Sequence, residues 1–127
     1  MLDTNIAIEL RDNAEGFADR LAALNARPAL SAISLVELEG GVAAIPDLSR
    51  LRRARLDIIL ATFEIIDFTH AMAVRYGEIV SRIGFSRRKI IDRMIAVTAM
   101  MSDLSLITAN AADFDDIPDL NLIEWPI

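Results

Sequence analysis

Apolar residues recur along this chain in two rhythms, one of three to four residues and one of short unbroken runs. Between Lys89 and Phe114, Ile91, Met94, Ile95, Thr98, Ala99 and Met101 recur at helical spacing with no Gly or Pro between them, which predicts a helix. Asp92 sits on or beside that apolar face, an unfavourable place for a carboxylate. After a break at Ser102 and Asp103, the run Leu104 to Thr108 is short, aliphatic and β-branched at its end, as a buried strand would be. Asn110 to Phe114 then reads as a polar turn carrying a second carboxylate, Asp113.

The same pattern organises the rest of the chain. Leu2 belongs to a very short first strand, with Asp3 at its C-terminal end and a helix from Thr4 onward. Gly16 to Asn25 predicts an amphipathic helix with Phe17, Leu21 and Leu24 on one face, ending near Arg27 and Pro28. Ala29 to Ile33 is a candidate second strand. Ser34 then opens a helix over Leu35 to Val42, which Gly40 and Gly41 are expected to weaken. Ser34 and Glu37 have the spacing of a capping box, in which the Ser bonds the third amide and the Glu reaches back. Pro46 breaks the chain before a helix from Leu48 to about Thr62, and Phe63 to Phe68 contains the third strand. Thr69 caps a helix to about Ile83, Gly84 closes it, and Phe85 to Lys89 forms a basic loop. Asn121 to Trp125 is the last strand. Strands alternating with helices predict an α/β fold: a three-layer α/β/α sandwich with a mainly parallel central sheet of about five strands, one domain over residues 1–127.

Composition narrows the class. With 127 residues, 54% of them hydrophobic, the chain has material for a single core. It is more apolar than a small solvated monomer needs, so a homodimer or a bound partner is expected. No run approaches the roughly 20 apolar residues of a membrane span, and the first residues lack the basic and apolar regions of a signal peptide. With no cysteine there are no disulfides and no thiolate metal sites, and a cytoplasmic location is the simplest expectation.

A net charge of −6 argues against a nucleic-acid partner unless some of the carboxylates hold cations, which would reverse the local sign. Two basic groups stand out: Arg50, Arg52, Arg53 and Arg55, and then Arg82, Arg87, Arg88 and Lys89. Arg87, Arg88 and Lys89 lie just before Asp92 and are candidates for backbone phosphate contacts; otherwise they are a solvated face. His70, the only histidine, reads as a surface or packing residue because no orienting partner accompanies it.

Asp3, Glu37, Asp92 and Asp113 fall where strands hand over to helices, and in a parallel sheet those points share one edge. Any one of them could be a cap. Four at successive hand-overs predict a shared site. Oxygen ligands without Cys suit Mg²⁺ or Mn²⁺ rather than Zn²⁺. Two such ions about 3.5–4 Å apart can activate a water and stabilise the leaving oxygen of a phosphodiester. No Ser-His-Asp or Cys-His set, P-loop or GxGxxG competes.

Together these motifs carry a resemblance. LDTN at the start, Ser34-Leu35-Val36-Glu37-Leu38, IDRMIAVTAM and LITANAADF resemble the signature of PIN-domain proteins, specifically VapC-type toxin ribonucleases, over nearly the whole chain. The resemblance implies that Asp3, Glu37 and Asp92 are the acidic core that binds metal, with Asp113 as a fourth acid. It makes Thr4, Asn5 and Thr108 supporting polar residues and Phe114 a packing residue. Asn110 stands where some relatives have an acid, which bears on the second metal. Only two residues precede Asp3, so strand one is expected to be barely formed and the natural start to be a candidate for lying upstream. The resemblance further implies a Mg²⁺-dependent endoribonuclease of a toxin-antitoxin pair, acting on RNA, blocked by a cognate antitoxin and commonly dimeric. Two other classes stay open. An aspartyl-nucleophile phosphatase or phosphotransferase would also cluster carboxylates near Mg²⁺, although the DTN motif lacks the second Asp one such group uses. A non-catalytic binding module would keep the fold without carboxylate-dependent metal binding.

Overall fold

Three residues at the start of the chain occupy the middle of a parallel sheet. The computed structural model describes residues 1–12, 17–23 and 27–126. Strands β1 (Ala29–Ser31) and β2 (Glu64–Ile66) pair in parallel, with Leu30 opposite Ile65. Strands β3 (Leu106–Thr108) and β4 (Leu122–Glu124) do the same, with Ile107 opposite Ile123. Leu2 joins the two pairs by parallel bridges to Leu30 and Ile107. The spatial order is therefore β2, β1, residues 1–3, β3, β4. Among the described residues, the expected sheet of about five strands is corrected to four three-residue strands, with the fifth place held by Leu2 alone.

Among the described residues, six α-helices cover this sheet: α1 (Thr4–Asp12), α2 (Phe17–Ala23), α3 (Ala32–Ala44), α4 (Ser49–Thr62), α5 (His70–Ile83) and α6 (Ile90–Met101). Gly16, Leu24 and Asn25, assigned to the second helix from the sequence, lie outside the described residues. Successive strand residues point to opposite faces of a sheet, and the core divides accordingly. Met1, Ala29 and Leu106 face Ile95, Ala96, Ala99 and Phe114 on one side. Leu2, Leu30 and Ile107 face Ile6, Leu38, Leu56 and Phe63 on the other. That is the predicted three-layer arrangement.

The expected capping box is a further correction. Helix α3 begins at Ala32, because Ser31 takes the cap and accepts the Ile33 amide at 3.0 Å. Ser34 is therefore inside the helix, and the expected strand through Ile33 stops at Ser31. The helix also runs past Gly40 and Gly41 to Ala44. Gly41 has a packing role: a Cβ there would come 2.8 Å from Nη1 of the buried Arg11, which donates to Leu38 O at 3.3 Å. By contrast α5 follows its sequence signals at both ends. Thr69 accepts the Met72 amide at 3.2 Å, and Gly84, at φ +87°, ends the helix in a conformation that disfavours other residues.

Leu2 is 1% exposed at the junction of the two strand pairs. Truncation there leaves a cavity against both neighbours. We expect Leu2→Ala to cost about 2–5 kcal/mol, seen as a lowered urea midpoint with an unchanged slope; a loss under about 1 kcal/mol would mean that the centre of the sheet is not packed as described.

Candidate active site

Connections in parallel sheets bring strand C-termini to one edge, and the order of this sheet reverses direction at residues 1–3. Asp3 emerges at that switch point. Its amide donates to Ile107 O at 2.8 Å, and its carbonyl accepts the Ala7 amide at 3.2 Å, so it also caps α1. Helix α3 leaves the same edge after β1 and carries Glu37. Helix α6 precedes β3 and runs antiparallel to it, which brings its first turn, with Asp92, back to that edge. Asp113 follows β3 where the sequence predicted a polar turn, in a short 3-10 turn, Ala111–Phe114, anchored by the buried Phe114.

Hydrogen bonds hold three of the four acids. Asp3 is 5% exposed; Oδ1 accepts the Thr4 amide at 2.8 Å and Oδ2 accepts the Thr108 hydroxyl at 2.8 Å. Thr108 Oγ1 in turn accepts the Asn110 amide at 3.1 Å and Asn5 Nδ2 at 3.4 Å, while Asn5 Oδ1 accepts the Ala109 amide at 3.3 Å. Thr4 Oγ1 lies 2.6 Å from Glu37 Oε1 and 2.9 Å from Ser34 Oγ. A hydroxyl has one proton, so it goes to the carboxylate and fixes Glu37. Asn110 Nδ2 donates to Asp113 Oδ2 at 2.9 Å. All four supporting residues, Thr4, Asn5, Thr108 and Asn110, therefore bond to one of the acids or to the Thr108 hydroxyl that holds Asp3. Ser34, read from the sequence as a cap, is instead fully buried beside Thr4, one helical turn before Glu37.

Electrostatics tie the four acids together. Burial is the main reason the Asp3 carboxyl is raised above its ordinary value; its hydrogen bonds from Thr108 and Thr4 oppose the rise, and the charges of Glu37 and Asp113 add to it. Asp92 is pushed up to about 6, first by burial and then by the charges of Asp3, Asp113 and Glu37, with Lys89 opposing. Among the described residues no three His, Asp or Glu side chains converge into a ready-made metal cage. His70 is exposed in the first turn of α5.

The basic candidates divide. Arg87 and Arg88 are exposed on a 3-10 turn before α6 and make no ion pair among the described residues. Lys89, grouped with them from the sequence, is 3.2 Å from Asp116 Oδ2. Asp116 also receives Arg93 Nη2 at 3.1 Å. Sequence reasoning missed this triplet because its members are 23 and 27 positions apart.

The PIN-domain family model matches residues 1–120. The chain belongs to the PIN-domain family, with the VapC-type proteins. It is 33% identical to a protein named ribonuclease VapC2 from Rickettsia felis, over 98% of this chain and 96% of that one. It is 28% identical to the tRNA(fMet)-specific endonuclease VapC of Salmonella typhimurium, with the same coverage. Among solved structures, VapBC2 from Rickettsia felis, bound to a DNA fragment from its promoter, superposes with a TM-score of 0.88 at 31% identity, over 98% of this chain and 97% of that one. In this PIN fold, among the described residues, no helix is long and apolar enough to cross a membrane.

The raised Asp92 carboxyl gives a pH prediction. The folded state keeps that proton up to about pH 6, whereas an unfolded Asp loses it near 3.8, so charging Asp92 weakens folding as pH rises between those values. Asp3 acts in the same direction. In chelator-treated protein, Asp92→Asn is therefore expected to raise Tm at pH 7.5 and to leave it unchanged near pH 4. An equal effect at both pH values would contradict the shift.

Proposed function

We propose that this chain is the toxin ribonuclease of a toxin-antitoxin pair, an endoribonuclease that uses Mg²⁺ or Mn²⁺ held by Asp3, Glu37, Asp92 and Asp113. The observation that carries the reading is the gathering of four carboxylates at the switch point of a PIN-fold sheet, where burial first, and then the charges of Asp3, Asp113 and Glu37, push Asp92 up to about 6. Such a cluster is poorly compensated by its own protein and gains most from a cation.

The donor set fits a hard divalent ion. All four candidate ligands are oxygen donors, and the chain has no cysteine and one exposed histidine. Magnesium keeps several waters and is commonly held by one or two carboxylates with substrate phosphate, so a three-carboxylate cage is not required. When bound, such an ion polarises a phosphoryl oxygen and lowers the pKa of the attacking water. The chain's own residues supply position. Thr108 and the Thr4 amide hold both Asp3 oxygens, Thr4 Oγ1 fixes Glu37, and Asn110 orients Asp113. Arg87 and Arg88, exposed and without an ion pair among the described residues, are the phosphate contacts in this reading.

An antitoxin partner is supported by the structural similarity to VapBC complexes. An apolar groove of about 580 Å³, lined by Leu10, Leu21, Ile58, Ile59 and Phe63, and exposed apolar residues such as Val36 and Val74 leave surface for that partner and for a second copy of the chain.

Cleavage of RNA is expected to stop with chelator and return with Mg²⁺ or Mn²⁺, and Mg²⁺ alone should raise the Tm of the native protein but not of Asp92→Asn. Asp92→Asn should remove cleavage with the fold intact; an unchanged rate refutes the role. Reversing charge at Arg87 and Arg88 should weaken RNA binding and reduce its salt slope by about one for each phosphate no longer bound. An unchanged slope means that neither arginine touches the RNA backbone.

A further inference from the structure

Of thirteen Lys and Arg residues, one is a lysine, and it stands at the edge of the acidic cluster. The charge of Lys89 opposes the rise at Asp92 that burial and the carboxylates Asp3, Asp113 and Glu37 produce. Its ammonium rests on Asp116 Oδ2 at 3.2 Å, an oxygen shared with Arg93 Nη2 at 3.1 Å. Asp116 Oδ1 is buried with no hydrogen-bond partner among the described residues. Both cations therefore crowd one oxygen, and neither makes the two-oxygen fork that gives a carboxylate pair its full strength.

The two partners of Asp116 are unequal. Arg93 is 4% exposed and is held a second time, through Nη1 to Gly84 O at 2.7 Å. Lys89 is 23% exposed, lies on the 3-10 turn before α6 and has no second partner among the described residues. Asp116 therefore stays paired if Lys89 departs. A partly exposed ammonium-carboxylate contact holds weakly, and lysine carries its charge on a flexible stem.

We propose that Lys89 is a further phosphate-binding cation of this site, beside Arg87 and Arg88, and that Asp116 is its resting anchor. An arriving RNA phosphodiester takes the ammonium on a non-bridging oxygen, while Arg93 keeps Asp116 paired. The inference deepens the nuclease reading and rests on it for the identity of the anion. Charge-assisted bonds to phosphate are short and strong, so the exchange runs toward substrate. Asp116 is then a positioning residue that acts only through Lys89.

Having a single lysine makes the test direct. Reductive ¹³C-methylation keeps the charge and labels Lys89 and the terminal amine alone. Titration with an RNA oligonucleotide in the presence of chelator, which withholds the ion that cleavage needs in this reading, should move the Lys89 resonance. Lys89→Met should bind that oligonucleotide about tenfold more weakly. Asp116→Asn, which still offers Arg93 an acceptor, should bind it about two- to fivefold more tightly, and should give no gain in the Lys89→Met background. A merely structural Asp116 would instead lower Tm and weaken binding in both backgrounds. A stationary Lys89 resonance, Lys89→Met with native affinity, or a gain that persists without Lys89 overturns the proposal. If Asp116→Asn does not fold, the resonance and Lys89→Met decide alone. The two readings fail separately: a native protein that cuts RNA while Lys89 stays still loses only the clamp, and one whose Lys89 moves but that cuts nothing with any metal loses only the nuclease.

Discussion

The seating of residues 1–3 between β1 and β3 is the constraint on which the rest of the structure depends. Leu2 N bonds Ala29 O at 2.9 Å, Asp3 N bonds Ile107 O at 2.8 Å, and Ile107 N bonds Met1 O at 2.8 Å. These bonds join two strand pairs that otherwise share no ladder, and they deliver Asp3 to the one point where the sheet order reverses. Leu2 packs one face of the sheet and Met1 the other, so both hydrophobic layers meet at the residue preceding the acid. The position of Asp3 is thus set by backbone pairing and apolar burial before charge enters.

Electrostatics work against that arrangement. Burying a carboxylate costs free energy unless donors meet it, and Asp3 is met on both oxygens. Asp92 is pushed up by burial and three like charges, with no hydrogen-bond donor among the causes, which is why its proton is held to about pH 6. The site is therefore a place where the fold tolerates unfavourable charge, as functional sites often do. Lys89 offsets part of this from the rim, yet is itself drawn aside by Asp116. Arg93 ties Asp116 to the end of α5, so the segment after Asp113 and the start of α6 are held at a set separation.

Much of this was legible in the sequence where a local signal had no competitor. Thr69 and Gly84 bracket α5 because a cap and a positive-φ glycine are each decided within one turn. The placement of Asp3, Glu37 and Asp113 after strand C-termini was readable because topology sends those points to one edge, but Asp92 does not stand at such a hand-over: it lies in the first turn of α6, which follows α5 rather than a strand. Strand ends were not: aliphatic runs at Ala29 to Ile33 and Leu104 to Thr108 outlast the ladders, since hydrophobicity marks burial rather than pairing. The Ser34 capping box failed because Ser31, three residues earlier, is an equally good cap and wins by position, which freed Ser34 to pack beside Thr4. The Lys89, Asp116 and Arg93 contacts could not be read at all, because nothing in local sequence couples positions so far apart.

The central claim is that Asp3, Glu37 and Asp92 bound one cation-holding pocket at the sheet's switch point. Anomalous diffraction from crystals of this protein grown with Mn²⁺ tests it most directly. The account predicts a peak bordered by these three carboxylates that is absent from Asp92→Asn crystals; no peak, or one remote from Asp3, would contradict it.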